Sequence, residues 1–287
     1  SDWEMYNKYG YYPFDFLDNE SVSRTLESGF DDYAIAKMAQ KLGRDSIAEI
    51  FSKRSKYYEN LFDSKTGLMR GKDSKGNFRN PFKPLEATSP MNNPGDYTEA
   101  NAWQYTWTPS HYDIENYIEL LGGKDKFTIQ LNKFFTLSNN DADKHLGQEG
   151  LIGQYAHGNE PSHHIAYLYA FSNTPEKGNQ LITEIYNRFY SDKPDGITGN
   201  DDCGQMSAWY IFSTLGFYPV NPANAEFVLG IPQVNKAKVI LNKENVLYID
   251  KTTDDLNKIL NIKLNDTELK EIITYDQITK GGSLKFQ

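Results

Sequence analysis

The sequence predicts a mostly α-helical protein that ends in a small β-rich module. Apolar residues recur at helical spacing through much of residues 1–225, which is the pattern of amphipathic helices. The predicted helices follow one another after short connections, as antiparallel helix pairs do. After Pro222, short alternating and β-branched runs replace the helical pattern. We therefore predict a helical domain at residues 1–225 and a β-rich segment at residues 226–287.

Seven segments carry the helical pattern. The first is the clearest, because Val22, Leu26 and Phe30 begin an apolar stripe that Gly43 closes. A second helix follows after a short connection, so the helices are expected to come in hairpins. The predicted helices cover residues 21–42, 45–61, 114–121, 124–137, 163–171, 175–190 and 204–215.

Three long connections separate these helices. Residues 62–86 are rich in Gly, Lys, Asn and Pro, and a hairpin is predicted at residues 74–76. Residues 96–111 and 154–163 are polar and rich in aromatic side chains. We expect these two loops to gather at one end of a helical toroid or layer, where loops on a rigid scaffold commonly carry function.

The C-terminal segment reads as short strands. The turn residues Asn265 and Asp266 favour a hairpin between two of them, and the pair Gly281 and Gly282 marks another break. The predicted strands cover residues 226–230, 237–241, 246–249, 259–264 and 283–286.

Composition limits the possible functions. A formal charge of −9 repels phosphate backbones, so nucleic acid is not an expected partner. The lone Cys203 excludes an internal disulfide and a cysteine-rich metal cluster. No apolar run reaches the roughly 18 residues of a membrane span, and the first residues lack the pattern of a signal peptide. Aromatic residues make up 14% of the chain, and rings exposed in a cleft would suit the apolar faces of sugars.

The first of three acid-bearing segments lies at residues 96–107. Asp96 and Glu99 have the spacing of a helix capping box, so an ordinary helix start explains them. Glu99 is also flanked by Trp103 and Tyr105. Partial desolvation by these rings would raise its pKa and favour a proton donor at neutral pH.

The second segment is Gly-Asn-Glu-Pro-Ser-His-His at residues 158–164. Its simplest interpretation is a helix start, with Asn159 or Ser162 as the cap. Asn159 and Glu160 also offer the oxygen ligands that Ca²⁺ prefers. Zinc is disfavoured, because His163 and His164 would point about 100° apart on a helix.

The third segment is Asn-Asp-Asp-Cys-Gly-Gln-Met-Ser-Ala-Trp-Tyr at residues 200–210. Asp202 and Gln205 have capping-box spacing, so Asp201 and Asp202 either cap a helix or supply a base or metal ligand. If the three segments converge, two carboxylates from different loops meet the need of glycoside hydrolysis. One acts as acid and the other activates water, roughly 6.5–9.5 Å apart in inverting enzymes.

Three motifs together resemble glycoside hydrolase family 92, whose members are bacterial, calcium-dependent exo-acting α-mannosidases. They are Thr-Glu-Ala-Asn-Ala-Trp-Gln-Tyr at residues 98–105 and the segments at residues 158–164 and 200–210. The likeness includes the opening Tyr-Gly-Tyr at residues 9–11, Ser-Val-Ser-Arg-Thr-Leu-Glu at residues 21–27 and the closing Lys-Gly-Gly-Ser-Leu at residues 280–284. It implies an inverting mechanism on an (α/α)6 toroid, with Ca²⁺ holding two mannose hydroxyl groups.

The resemblance also assigns roles to residues of this chain. Glu99 corresponds to the general acid and Asp202 to the general base, with Asp201 as the alternative base. Asn159 and Glu160 match the loop that contributes to the calcium site, through side chains or carbonyl groups. Substrate-side or supporting roles fall to Trp103, His163 and His164. Some family members have Asp where this chain has Asn200, which leaves a shared base or calcium role at that position open.

Family members are much longer, with an N-terminal β-sandwich and the first toroid helices ahead of the matching region. The resemblance therefore implies a partial toroid, roughly its C-terminal half or more, followed by the small β module. We expect the N-terminal parts of a longer parent to be required for activity on α-mannoside glycans, with an α-1,2 or related linkage. The family places such proteins in the periplasm, at the surface or outside the cell. The alternatives are a non-catalytic carbohydrate-binding fragment or subunit, and another toroid enzyme such as a lyase or glucosidase.

Overall fold

The computed structural model describes residues 2–138 and 151–287. The chain forms two compact units, Ser1–Ser162 and His163–Gln287. The boundary predicted near residue 225 lies inside the second unit, where helix has already given way to strand between Leu215 and Phe217. As a domain boundary it stays a prediction.

Helices dominate the first unit and the start of the second. The α-helices are α1 Asp2–Tyr9, α2 Ser21–Lys41, α3 Asp45–Arg54, α4 Ala102–Tyr105, α5 Ile114–Leu121, α6 Lys124–Thr136, α7 Pro175–Phe189, α8 Gln205–Leu215 and α9 Tyr275–Thr279. Short 3₁₀ helices cover Tyr57–Leu61, Thr108–His111, Glu160–Ser162, Ile165–Phe171, Asp202–Gly204 and Pro222–Asn224.

The helical prediction is confirmed for the long segments and wrong in detail elsewhere. The predicted helix at residues 45–61 ends at Arg54 and continues as a 3₁₀ turn. The predicted helix at residues 163–171 is the 3₁₀ helix Ile165–Phe171. Helix α1 was not predicted, because only Tyr6 among its residues is buried and no apolar stripe marks it.

Strands form four small sheets among the described residues. The strands are β1 Phe62–Asp63, β2 Leu68–Met69, β3 Leu151–Ile152, β4 Tyr155–Ala156, β5 Phe217–Asn221, β6 Glu226–Leu229, β7 Lys236–Ile240, β8 Val246–Lys251, β9 Ile262–Leu264, β10 Thr267–Leu269, β11 Ile272–Thr274 and β12 Gly282–Phe286. The largest sheet has the order β10-β9-β12-β8-β7, and only its β12–β8 pair is parallel.

Two predicted turns are confirmed. Asn265 and Asp266 connect β9 to β10 with φ angles of 49° and 67°, the left-handed pair that a two-residue hairpin requires. In the excursion at residues 62–86, Lys72 and Phe78 bridge across the predicted hairpin at residues 74–76. The backbone N–H groups of Lys75 and Asn77 both donate to Oδ1 of Asp73 there, which holds the turn closed.

The core of the second unit is built by alternation along two neighbouring strands. Leu247 and Ile249 of β8 and Leu284 and Phe286 of β12 are each at most 1% exposed. Successive strand residues point to opposite faces, so these four side chains share the face that packs inward. The intervening Tyr248 is 51% exposed.

Leu247→Ala is therefore expected to lower the free energy of unfolding by about 2–5 kcal/mol, because it leaves a cavity in a packed core. Urea denaturation of the chain followed by circular dichroism measures this loss. Tyr248→Thr is the matched control, since it changes the neighbouring exposed position while keeping a strand-forming residue, and a change below about 1 kcal/mol is expected there. Equal losses for the two variants would contradict this assignment of the core.

The first unit has an aromatic core around Trp107, which is fully buried. Tyr117, Phe127 and Phe134 meet its indole edge-on at centroid distances of 5.7 to 6.0 Å. Trp107 closely follows α4, so this core supports the segment that carries Glu99. Among residues 2–138 and 151–287, no helix is both long enough and apolar enough to cross a membrane.

Candidate active site

Glu99 lies in a turn directly before α4, on left-handed backbone with φ of 47°. The capping box of this helix is formed by Asn101 and Gln104, each side chain bonding the other's backbone N–H. The predicted cap by Asp96 and Glu99 is therefore wrong, and Glu99 lies outside the helix. The sequence pattern that indicates the true capping box is Asn-x-x-Gln at residues 101–104.

Asp96 anchors this turn to the first turn of α2. Its carbonyl oxygen accepts hydrogen bonds from the N–H groups of Val22 and Ser23, at 3.1 and 3.2 Å. Its buried carboxylate accepts one from the Ser21 hydroxyl at 2.8 Å and one from Nε of Arg79 at 2.9 Å. Asp96 thereby satisfies helix N–H groups that would otherwise have no partner, and its carboxylate is committed to structure.

Asn159 brings the second motif to the first. Its side-chain N–H donates to the backbone carbonyl of Glu99 at 2.9 Å. The residue is 9% exposed, whereas the neighbouring Glu160 is exposed. The helix-start interpretation of this segment is only partly correct. Glu160–Ser162 is a single 3₁₀ turn, and the Ser162 hydroxyl accepts from the N–H of Ala156 instead of capping a helix.

The rings that follow Glu99 pack into the unit. Trp103 and Tyr105 are 4% and 3% exposed, while Glu99 itself is exposed. The expected desolvation of Glu99 by these two rings is therefore wrong for this chain, because helix α4 turns them towards the interior. Trp103 also contacts the Lys133 ammonium, 5.1 Å from the ring centroid.

The third motif begins α8, and its two acids have different surroundings. Asp201 accepts hydrogen bonds from the N–H of Ser207 at 3.0 Å and from its hydroxyl at 2.7 Å. Asp201 therefore caps the first turn of α8. The predicted capping box of Asp202 and Gln205 is wrong, because the N-cap position is Gly204, which has no side chain, and the carboxylate that bonds the first turn belongs to Asp201.

Asp202 is exposed and lies on left-handed backbone. Asp202, Cys203 and Gly204 have φ angles of 48°, 57° and 100° in succession. Left-handed backbone at residues other than glycine costs about 1–3 kcal/mol each and recurs at functional sites. Glu99 and Asp202 share this conformation, and Asp201 does not.

The two predicted histidines are buried in the second unit. His163 and His164 are 2% and 0% exposed. Nδ1 of His163 lies 3.2 Å from Nε2 of Gln205, and its carbonyl accepts from the Trp209 indole at 3.0 Å. His163 thus holds the beginning of α8 just after Asp202. Gln205 also donates to the Tyr218 hydroxyl. The sequence suggested it only as a capping residue, and its supporting role was missed because its partners are distant along the chain.

The loop at Asn159 and Glu160 offers only part of a calcium shell. The amide N–H of Asn159 is used on Glu99, so a cation would be met by its side-chain carbonyl oxygen. The other oxygen donor of this loop is the Glu160 carboxylate. These are oxygen donors, which suit Ca²⁺, but Ca²⁺ takes six to eight of them. Among the residues that the structure describes, no three His, Cys, Asp or Glu side chains group as a metal site. The donor chemistry fits, and further ligands are needed.

The predicted site residues thus fall into two sets. Glu99, Trp103, Asn159 and Glu160 belong to the first unit, where Glu99 and Asn159 are joined directly. The acids of the third motif and both histidines belong to the second unit.

Comparison with solved structures identifies close likenesses. An α-mannosidase of family GH92 from Bacteroides thetaiotaomicron, solved in complex with mannoimidazole, matches 99% of this chain at 39% identity with a TM-score of 0.92. A family GH92 inverting mannosidase from the same species, strain VPI-5482, matches 100% of the chain at 30% identity with a TM-score of 0.85. The chain spans 38% and 39% of the lengths of these two proteins.

A curated relative comes from a fungus. A protein of Arthroderma benhamiae named uncharacterized secreted glycosidase is 28% identical over 247 residues, which cover 77% of this chain and 29% of that protein. The family described as Glycosyl hydrolase family 92 catalytic domain matches residues 1–287. The chain therefore belongs to glycosyl hydrolase family 92, as part of its catalytic domain.

Proposed function

We propose that this chain carries the general acid, the general base and part of the calcium site of an inverting exo-α-mannosidase that trims mannose-containing glycans. One observation supports this most directly. In each of two motifs, the carboxylate of one acid accepts hydrogen bonds that stabilise local structure, and another acid is exposed on left-handed backbone. The carboxylates of Asp96 and Asp201 accept such bonds, and Glu99 and Asp202 are the exposed acids on left-handed backbone, whereas Asp201 is exposed on right-handed backbone.

Glu99 would donate its proton to the glycosidic oxygen as the bond from that oxygen to the anomeric carbon breaks. Asp202 would accept a proton from the water molecule that attacks the opposite face of the anomeric carbon. The released mannose then carries a β-hydroxyl, and the leaving sugar carries the proton of Glu99. Asp201 is the less suitable base, because both hydrogen bonds from Ser207 reach the same carboxylate oxygen and stabilise the helix start.

Asn159 and Glu160 would hold calcium through oxygen atoms. Bound calcium would hold two hydroxyl groups of the mannose and help to distort its ring. Asn159 has a second function in this proposal, since its amide N–H supports the carbonyl of Glu99. Trp103, His163 and His164 would support the residues that meet the substrate, because all three are buried.

The helices of this chain would form part of an (α/α)6 toroid, followed by the β module. The two solved relatives are more than twice as long as the chain. We propose that activity requires the additional parts of such a protein, an N-terminal β-sandwich and the first toroid helices, and that the chain alone is inactive. A periplasmic, surface or secreted location is proposed from the family and from the name of the fungal relative.

The protein expressed from its complete coding sequence tests the proposed activity. It is expected to hydrolyse aryl α-mannosides in preference to other aryl glycosides, and proton NMR should detect β-mannose as the first product. Mannobioses of different linkage would then define its specificity. Release of α-mannose would contradict the inverting mechanism. Mannose binding in calorimetry without turnover would instead support a carbohydrate-binding protein.

Removal of calcium is expected to abolish this activity. After treatment with EDTA, Ca²⁺ should restore hydrolysis, while Mg²⁺ should not, because it demands a smaller octahedral shell. Calorimetric titration with Ca²⁺ gives a readout that does not depend on turnover, and Glu160→Gln is expected to weaken the binding. Full activity in EDTA would exclude the calcium proposal and leave the acid and base assignments intact.

A further inference from the structure

The motif at residues 21–27, whose sequence resembles the family, lies beside the segment that carries Glu99. It forms the first two turns of α2. The side chains of this helix start reach the segment at residues 95–105, which contains Glu99. The N–H of Glu20, directly before α2, donates to the carbonyl of Gly95 at 2.6 Å. Helix α2 and the Glu99 segment are thus joined over two helical turns.

Thr98, which precedes Glu99, is held through both its backbone and its side chain. Its N–H donates to the hydroxyl of Ser23 at 2.8 Å. Its own hydroxyl donates to Oε1 of Glu20 at 2.8 Å. Ser23 is fully buried, so no water can readily replace it as the acceptor. On the other side of Glu99, Asn159 holds the carbonyl.

A third link runs through Tyr105. Its hydroxyl donates to Oε1 of Glu27 at 3.0 Å and lies beside the side chains of Ser23 and Thr98. Burial raises the pKa of the Glu27 carboxyl, and the charges of Glu20 and Asp31 act in the same direction. Glu20, Ser23 and Glu27 therefore form one polar network with Thr98 and Tyr105, which we name the α2 clamp.

We propose that Ser23 and Glu20 are positioning residues for Glu99, acting through Thr98 and supported by the Glu27–Tyr105 hydrogen bond. The inference rests on the proposed function, since it takes Glu99 as the general acid. Glu99 has φ of 47°, which residues other than glycine seldom adopt. Hydrogen bonds on both sides of it are needed to hold that backbone, and the backbone directs the carboxyl towards the leaving oxygen.

Leaving-group dependence tests this positioning role. A misplacement of about 1 Å can cost about a hundredfold in rate. Ser23→Ala is therefore expected to slow hydrolysis of a mannobiose by about ten- to a hundredfold. Hydrolysis of 2,4-dinitrophenyl α-mannoside should change less than about threefold, because its leaving group needs no proton from an acid. The protein is again expressed from its complete coding sequence.

Thr25→Ala is the matched control on the same helix. Thr25 is also fully buried, and its hydroxyl also accepts a backbone N–H, that of Tyr12 at 3.0 Å. It does not belong to the α2 clamp. A general loss of packing would slow both substrates equally in both variants, whereas the proposal expects selective slowing of the mannobiose in Ser23→Ala alone.

Two further variants keep the test decisive. If Ser23→Ala does not fold, Glu20→Ala removes the other contact to Thr98, and Glu20→Gln should restore the mannobiose rate because it keeps an acceptor oxygen. Equal slowing of both substrates, or no slowing, would overturn the proposal.

If Glu99→Gln itself shows no dependence on the leaving group, the acid assignment fails. If Glu99→Gln shows that dependence and the clamp variants do not, only the positioning role fails.

Discussion

Glu99→Gln, in the protein expressed from its complete coding sequence, is expected to slow mannobiose hydrolysis by about 10²- to 10⁴-fold. This is the usual contribution of a positioned general acid. Glutamine is nearly isosteric with glutamate and keeps the exposed position, but it has no acidic proton for the leaving oxygen. The rate with 2,4-dinitrophenyl α-mannoside should stay much closer to that of the wild type, because dinitrophenolate leaves without protonation. Steady-state kinetics with both substrates measures the difference.

Glu115→Gln is the control for this experiment. Glu115 is an exposed glutamate in the first turn of α5, and it belongs to no predicted motif. Its substitution should leave both rates unchanged. A Glu99→Gln protein with the wild-type mannobiose rate would exclude Glu99 as the acid. Equal loss with both substrates would indicate a structural defect instead.

Asp202→Asn is expected to slow both substrates by about 10²- to 10⁴-fold, because the water molecule then lacks a base whatever the leaving group is. Sodium azide should restore turnover of the dinitrophenyl substrate, since azide attacks without giving up a proton. The inverting mechanism makes β-mannosyl azide the expected product, which NMR identifies.

Asp201 provides the matched comparison, because its variants should change the free energy of unfolding and leave catalysis intact. Asp201→Asn keeps an acceptor oxygen for Ser207, so it should remain active. Asp201→Ala should lower the free energy of unfolding by about 0.5–2 kcal/mol through loss of the helix cap. If Asp201→Asn is inactive and rescued by azide while Asp202→Asn is active, the roles of the two acids are exchanged.

Much of the secondary structure could be predicted from the sequence, because the spacing of apolar residues that indicates a helix or a strand is a local pattern. The bounds of α2, α5 and α6 follow apolar stripes at helical spacing, and β8 and β12 follow alternation. Segments without such a stripe were missed. Helix α1 buries only Tyr6, and α9 has five residues of which Ile278 alone is buried.

The helix caps show where local spacing fails. Asp96 with Glu99 and Asp202 with Gln205 both have the spacing of a capping box, and neither forms one. In the first case, the donors to the Asp96 carboxylate are Ser21 of α2 and Arg79, which lie 75 and 17 positions away along the chain. A carboxylate bonded by such distant groups is not available for a local cap. In the second case, left-handed backbone at Asp202 is incompatible with the extended conformation of an N-cap residue.

The sequence by itself determined the family and the residue types of the site, because it contains three motifs with the residues and the order that are typical of the family. It also identified the candidate acids, because glycoside hydrolysis requires a carboxyl group as acid and another as base, and these residue types can be read directly from the motifs. Only the tertiary structure decided which acid of each motif has a carboxylate that stabilises local structure and which acid lies on left-handed backbone. It also revealed that α2 and Asn159 hold the backbone around Glu99. The physical reason is that these hydrogen bonds join residues about 60 to 78 positions apart, and no local pattern specifies such partners.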